Sequence, residues 1–386
     1  MISQYFDYNS TTPVAEEVIQ AMAPFWVENF GNPSSLHQPG RAPAQAIKKA
    51  RRRLAELLVA EDEKEILFTS CGTESNNAVF RSVFDLSQKE HRKILVSSVE
   101  HSSVLQVCAE LEKKGWEIEA IPVHPNGELN WEVFEKAFDE NTALISLMMA
   151  NNETGICFDI QRAAEIARNR NVLLHVDAVQ VVGKLPITLK NSGIHFLSLS
   201  AHKFYGPKGV GALYVRQNVP FRSSMIGGRQ ERGRRAGTEN VAGIVGLGAA
   251  AELARKDLET KMPEIESLRN LFEDQLADQI EHIFVYGKSR KRIPNTSNIR
   301  FQGVDGETLM YSLDKQGISV SGGSACMSGA HEPSHVLKAM GCTDAEAKSS
   351  IRFSFGRYTT KESVQQLLQV LKNTVQRFRT GEKIST

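Results

Sequence analysis

The chain has no apolar run approaching the roughly 20 residues that a membrane-spanning helix needs. No membrane partner is expected. Nor does it carry an excess of one charge: 46 lysines and arginines face 45 aspartates and glutamates, a formal net charge of +1. No global field draws the chain to nucleic acid or to an anionic surface. Cysteine is scarce. The five cysteines, Cys71, Cys108, Cys157, Cys326 and Cys342, are odd in number and widely scattered, so they do not read as a disulfide framework. In a reducing compartment they stay thiols, and one of them is a candidate reactive group. The N-terminus "MISQYFDYNSTTP" lacks a basic region followed by an apolar one, so a secretory signal is not read there and a cytoplasmic location is the expectation. Internal repeats and low-complexity tracts are also missing.

What is present is a soluble globular composition, 41% hydrophobic and 24% charged. The length holds about two to three domains' worth of core at roughly 150 residues each. From about Ile66 short apolar runs alternate with helical segments. "EILFTS" precedes "ESNNAVFRSVF", "KILVSS" precedes "SSVLQVCAELEKKG", and "ALISLMMA" precedes "IQRAAEIARNRN". "VLLHVDA", "HFLSLSA" and "VGALYV" follow. This alternation predicts an α/β fold with a mainly parallel sheet covered on both faces. "TTPVAEEVIQAMAPF" predicts a helix capped by Thr12 with Pro13 at its first position. After about Ala250 a long charged helical stretch reads as a connector, broken or kinked at Pro263. Beyond it, "SNIRFQ", "GETLMYSLDKQG", "ISVSGG" and "SIRFSFG" predict a smaller α+β domain. A last helix starts at Lys361, with Thr359 and Glu362 as a capping box. Its apolar face is Val364, Leu367, Leu368, Leu371, Val375 and Phe378.

In an open α/β sheet, ligands bind beyond the carboxyl ends of the strands. "EILFTS" ends in "CGTES", a small-residue turn into a helix, where free backbone N–H groups and Thr73 would cradle a phosphate. "KILVSSVE" ends in His101, "ALISLMMA" in "NNETG" with Asn152, and "VLLHV" in Asp177 with Gln180 one turn on. "HFLSLS" ends in "AHK", with His202 and Lys203. Each feature alone has a bland reading: a turn, a helix cap, a core histidine, or a lysine where the strand surfaces. Together they supply a phosphate cradle, a ring to stack, an amide, a carboxylate and an amine able to form a Schiff base. Those are the needs of pyridoxal 5'-phosphate (PLP), whose pyridine nitrogen takes a carboxylate partner.

The motifs "LSAHKFYGPKGVGALYV", "HVDAVQ", "NNETG", "ERGRRAGTEN" and "SGGSACMSGAHEPSHVLKAMG" resemble the cysteine desulfurases of the NifS/IscS type, nearest to the NifS-like branch. The resemblance runs from "FDYNSTTPV" to "IRFSFGRYT". It implies the aspartate aminotransferase-like PLP fold type I. The large PLP-binding domain would span 14–255, and 1–13 with 256–386 would form a small domain carrying the cysteine loop. It implies that Lys203 holds PLP and moves the Cα proton, and that His101 stacks on the ring and assists. Asp177 would pair with the pyridine nitrogen and Gln180 with the ring hydroxyl. Gly72, Thr73, Ser200 and His202 would hold the phosphate, and Thr238 would reach the phosphate of a partner subunit in a homodimer. Asn152 would contact cofactor and substrate, and Arg352 would fork the substrate carboxylate. Cys326 would attack the sulfur of L-cysteine, leave alanine and carry a persulfide to a sulfur acceptor such as an iron–sulfur scaffold protein. No resident metal is implied; a transient iron–sulfur cluster would be held at Cys326. A selenocysteine lyase, or another PLP-dependent aminotransferase-like enzyme, is the alternative within this class.

The chain departs from the family pattern at Tyr8 and Ser10 in "FDYNSTT", which places a changed loop near the substrate entrance, and at Met327 after Cys326. Glycines 322, 323 and 329 predict that 321–333 is the most mobile element of the site. Two readings compete. Cys326, His331, His335 and Cys342 offer zinc-type ligands but lack the close pairing of a zinc site. Arg229, Arg232, Arg234 and Arg235 offer a phosphate-binding cluster, yet no nucleic-acid motif surrounds them.

Overall fold

The apolar runs become strands. The computed structural model describes residues 4–87, 92–322 and 332–380. Cys326 and most of the loop expected to be mobile lie outside them. Strands β1 (Ile66–Thr69), β2 (Lys93–Ser97), β3 (Glu117–Ile121), β4 (Thr142–Met148), β5 (Leu173–Asp177), β6 (Phe196–Ser200) and β7 (Gly211–Val215) form one sheet in the order β1-β7-β6-β5-β4-β2-β3. Neighbours run parallel from β6 through β3, while β7 is antiparallel to both β6 and β1. β1, β2, β6 and β7 are buried along their whole length, as strands sandwiched between helices must be. The edge strand β3 instead exposes Glu117, and Lys93 of β2 bridges to Glu117 and Asp139. Charge of this kind discourages pairing at an open edge.

A second sheet, antiparallel, is built from β8 (Ile283–Val285), β9 (Thr296–Phe301), β10 (Ser321–Gly322) and β11 (Ser350–Ser354), in the order β10-β11-β9-β8. It packs with Phe272, Leu276, Leu309, Leu367 and Leu371 in a cluster of its own. The last helix, Lys361–Thr380, buries Val364, Leu367, Leu368, Leu371 and Val375 as its periodicity predicts.

Three local expectations change. The first helix runs Glu16–Met22 with Ala15 at its cap, because the Thr12 hydroxyl is used elsewhere. It donates to the His202 carbonyl and accepts from the Tyr205 amide, tying the N-terminal segment to the turn that holds Lys203. The last helix is capped by Thr360 and Ser363, which exchange hydrogen bonds. Thr359 instead accepts from the Gly356 amide. The long helix runs Val241–Gln279 as one element through Pro263. Burial of Met262 and Ile265 on either side of that proline holds it in place.

Candidate active site

The sheet brings the strand-end residues together. A cavity of about 270 Å³ opens over the carboxyl ends of β1, β2, β4, β5 and β6. Gly72, Thr73, His101 and Asn152 line it, as do Asp177, Gln180, Ser200, His202 and Lys203. Arg352, from the second sheet, closes the set.

At one side stands the N-terminus of the helix Gly72–Leu86, whose cap residue Cys71 makes no side-chain bond to the first turn. Those backbone N–H groups carry the positive end of a 15-residue helix. Glycine is required at its first position: a Cβ on Gly72 would sit 2.7 Å from Val179 Cγ2. Ser200 and His202 approach from β6 and the short turn after it. The donor set therefore fits a phosphate.

Asp177, at the last position of β5, is 7% exposed. Its Oδ2 accepts from Asn76 Nδ2 at 2.8 Å and its Oδ1 from the Val179 amide at 3.0 Å. Among the described residues no cation pairs with it, and it faces the cavity as an oriented carboxylate. The same Asn76 amide donates to Ser103 Oγ at 2.9 Å, which lies 2.9 Å from His101 Nδ1. His101 Nδ1 also accepts from the Ser103 amide, so the neutral ring carries its proton on Nε2. Burial lowers the pKa of His101, with Lys203 and His335 acting in the same sense and Asp177 against it. His202 is pushed down to about 4, first by burial and then by Lys203, Lys208 and Lys184. A carboxylate, a neutral imidazole and an anion cradle around one cavity fit the pyridine nitrogen, ring and phosphate of PLP.

Lys203 Nζ donates to the Asn9 carbonyl at 2.6 Å and the Ser10 carbonyl at 2.8 Å. The turn that carries it reverses the chain between β6 and β7, and Gly206 is needed there because a Cβ would stand 2.8 Å from Ala201 Cβ. Arg352 is 3% exposed. Its Nη2 bonds Asp7 Oδ1 at 2.7 Å and Ser10 Oγ at 2.8 Å, and its Nη1 bonds the Asn152 carbonyl at 3.0 Å. The guanidinium is thus held flat at the cavity wall. Ser10 lines the cavity, whereas Tyr8 is buried at 1% exposure and packs on Tyr5 and Tyr205.

Thr238 is exposed and is not brought into this cavity. Cys326 and His331 lie outside the described residues. His335 Nε2 faces the Glu100 carbonyl, and Cys342 Sγ faces the Tyr286 hydroxyl. Among the described residues no group of three or more His, Cys, Asp or Glu is placed to hold a metal ion. Three of the four clustered arginines are engaged within the chain, and Arg229 is exposed. Arg232 and Arg234 donate to the Lys64 carbonyl, and Arg235 pairs with Glu74.

Asn9, Asn76 and Ser103, which line the cavity, are not singled out by the sequence, nor are the buried Lys184, Glu100 and Glu153 outside its lining. Asn76 had a readable signal, since it lies one turn into the helix that starts at Gly72. Glu100 and Glu153 are buried acids pushed up to about 8 and about 7 by burial. Glu153 accepts from the Ser334 hydroxyl.

Comparison with known proteins agrees with this geometry. The class-V aminotransferase family model matches residues 4–367. The cysteine desulfurase NifS of Azotobacter vinelandii is 45% identical over 379 residues, covering 98% of this chain and 94% of that protein. A cysteine desulfurase of Trichormus azollae is 47% identical over 375 residues, 97% of this chain and 93% of that one. Among solved structures, a NifS-like protein superposes with a TM-score of 0.90 at 37% identity, covering 96% of this chain and 99% of that one. The chain belongs to the class-V aminotransferases, whose cysteine desulfurases use PLP. Within that family it is a NifS-like cysteine desulfurase.

Proposed function

We propose that this chain takes sulfur from L-cysteine onto Cys326 and releases L-alanine, using the cavity residues in the roles below. The observation that carries the reading is the convergence on one cavity of Asp177 from the end of β5, Lys203 from the turn after β6 and Arg352 from within β11. When bound, PLP supplies the electron sink for a carbanion at the substrate Cα. Gly72, Thr73, Ser200 and His202 would hold its phosphate, Asp177 its pyridine nitrogen and Gln180 its ring hydroxyl. Lys203 would hold its aldehyde carbon and, once exchanged for the substrate amine, accept the Cα proton. Two carbonyls accept from the Lys203 amine and orient it. His101, neutral and with Nε2–H available, would stack on the ring and donate a proton. Asn152 and Arg352 would bind substrate, Arg352 through its carboxylate. Cys326 acts as a thiolate, the nucleophilic form. Its sulfur attacks the substrate sulfur, an S–S bond forms as the C–S bond breaks, and the released electron pair stays on the carbon fragment, which is protonated to alanine.

The active unit is a homodimer in which Thr238 serves the partner's site. Ile19, Trp26, Val27, Phe30 and Leu36 are 54–93% exposed on the N-terminal helices and the loop after them, and Ile226 is 95% exposed. An apolar surface of this extent supports a second copy as its cover. The two sheets support a large unit at 14–255 and a small one at 1–13 and 256–386, with Tyr8, Tyr286, Ile293, Val336 and Leu337 of the small unit packed into the core of the large one. A cytoplasmic setting, with delivery of sulfur to an acceptor such as an iron–sulfur scaffold protein, completes the reading. Among the described residues no helix is long and apolar enough to cross a membrane.

Holoenzyme supplied with L-cysteine should form one alanine per sulfur delivered and carry its persulfide on Cys326. Cys326→Ala should still bind cofactor and cysteine, yet release no sulfide. Wild-type desulfuration by that variant, or persulfide mapped to Cys71, Cys108, Cys157 or Cys342, would overturn the assignment.

A further inference from the structure

Lys184 is a lysine with no place in the chemistry above. It is 6% exposed and does not line the cavity. Its Nζ donates to Gln180 Oε1 at 3.0 Å and to Asn9 Oδ1 at 3.3 Å, and among the described residues it forms no ion pair with a carboxylate. A buried cation without a carboxylate is costly to keep and calls for a reason.

The reason lies in what its two partners do. A carboxamide can present either its oxygen or its N–H₂, and the two orientations are nearly equal in shape. An ammonium group has donors only, so it accepts just one of them. Lys184 holds the oxygen of Gln180, which turns Gln180 Nε2 toward the cavity wall, where it donates to the Asn9 carbonyl at 3.0 Å. Lys184 also holds the oxygen of Asn9, together with Asn295 Nδ2 at 3.0 Å. Asn9 Nδ2 is then directed to Thr296 Oγ1 and to the Asn152 carbonyl, the same carbonyl that Arg352 uses. One ammonium group thereby sets the donor face on the cofactor side, through Gln180, and on the substrate side, through Asn9.

We propose that Lys184 is a positioning residue that fixes the amide orientations of Gln180 and Asn9, so that Gln180 offers an N–H to the anionic oxygen on the cofactor ring. The proposal rests on the role given to Gln180 above. Burial pushes the Lys184 ammonium well below the ordinary lysine range, and Lys203 and Arg352 push the same way. Negative charge from the phosphate and ring oxygen of a bound cofactor offsets that cost, so cofactor binding and the charged form of Lys184 support each other.

The test is PLP affinity of the apoprotein, read by fluorescence or absorbance titration, beside its thermal stability. Lys184→Met keeps the length and apolar stem and removes the donor. It should weaken PLP binding about tenfold, the worth of one hydrogen bond to a charged group. The apoprotein should melt within a few degrees of wild type, because loss of a buried cation without a carboxylate offsets the loss of the donor to Gln180 Oε1. Lys184→Gln, which keeps a donor, should retain most of the affinity. In a Gln180→Met background, Lys184→Met should cost much less affinity than it does alone, since its main partner on the cofactor side is gone. Equal losses in the two backgrounds, or an apoprotein melting well below wild type in both Lys184 variants, would assign Lys184 to the fold and overturn the proposal. Unchanged affinity in Lys184→Met would overturn it too. Absence of PLP binding by the wild-type protein would instead strike the cofactor assignment itself.

Discussion

Replacing Asp177 by asparagine separates its electronic role from its structural one. The amide oxygen of the new side chain can keep the bond from the Val179 amide, now 3.0 Å from Oδ1. The other half places an N–H₂ against Asn76 Nδ2, now 2.8 Å from Oδ2. Donor would face donor. Asn76 can answer by turning its own amide, because its Oδ1 is buried without a partner. Ser103 Oγ would then donate to Asn76 and give up its bond to His101 Nδ1, currently at 2.9 Å. The net structural cost is about one neutral hydrogen bond plus a buried N–H₂ left without an acceptor, ~2–3 kcal/mol. For a chain of this size the melting temperature should fall by no more than about 2–4 °C. The catalytic cost is larger. A preorganised charge that meets charge developing on the reacting group contributes about 100- to 1000-fold to turnover, ~2.7–4 kcal/mol. Alanine formation from saturating L-cysteine should drop by that factor in Asp177→Asn, while the apoprotein melts almost as wild type. If Asp177 merely capped the turn after β5, asparagine would serve nearly as well. Near-wild-type turnover in this variant would therefore refute the electronic assignment.

Borohydride reduction of the holoenzyme should fix PLP to the peptide holding Lys203; label on Lys208, or none, would remove Lys203 from its role. Acid should weaken the fold through His175, which is fully buried between Ser146 and Ser198 and pushed down to about 4 by burial. Its stability contribution is present above the ordinary histidine pKa of about 6.5 and is lost as pH falls toward 4, at up to ~1.4 kcal/mol per pH unit. Denaturant midpoints between pH 7 and pH 5 should show that slope, and His175→Asn should flatten it. Glu153 has the opposite sign: its raised pKa adds stability below the ordinary carboxylate range that is lost as pH rises through about 7. Glu153→Gln should accordingly stabilise the protein at pH 8 relative to pH 5, and an equal effect at both would show that Glu153 does not titrate there.

The strand-end residues were legible because the rule that finds them is local. An apolar run marks a strand, and the polar residue that ends it must face the crevice. Asp177, His101 and Lys203 follow from that logic without knowledge of distant contacts. Arg352 did not: it sits inside β11, fully buried by position, and only the resemblance pointed to it. Thr12 was misread because a hydroxyl before a helix looks the same whether it caps that helix or ties down another turn. The helix does not break at Pro263, because the stabilising burial of Met262 and Ile265 is a tertiary fact. Asn76 and Lys184 lay within reach of periodicity, since each stands four residues beyond a predicted site residue, Gly72 and Gln180.

Asn9 had no such signal, and it explains why the site needs both ends of the chain. Its carbonyl accepts from Lys203 Nζ and from Gln180 Nε2. Its amide N–H donates to Ser354 Oγ at 2.9 Å, two residues from Arg352 on β11. Its side chain reaches Thr296, Asn295, the Asn152 carbonyl and Lys184. Residues separated by 345 positions are thereby joined through one asparagine that is 1% exposed. In the roles proposed for them, Lys203 and Arg352 must keep a fixed separation if the substrate Cα is to lie within reach of the amine. The turn around Asn9 bonds to both sides of that gap. A short N-terminal stretch that looks like a leader to the first helix is, on this geometry, the strap that sets the distance between cofactor and substrate groups.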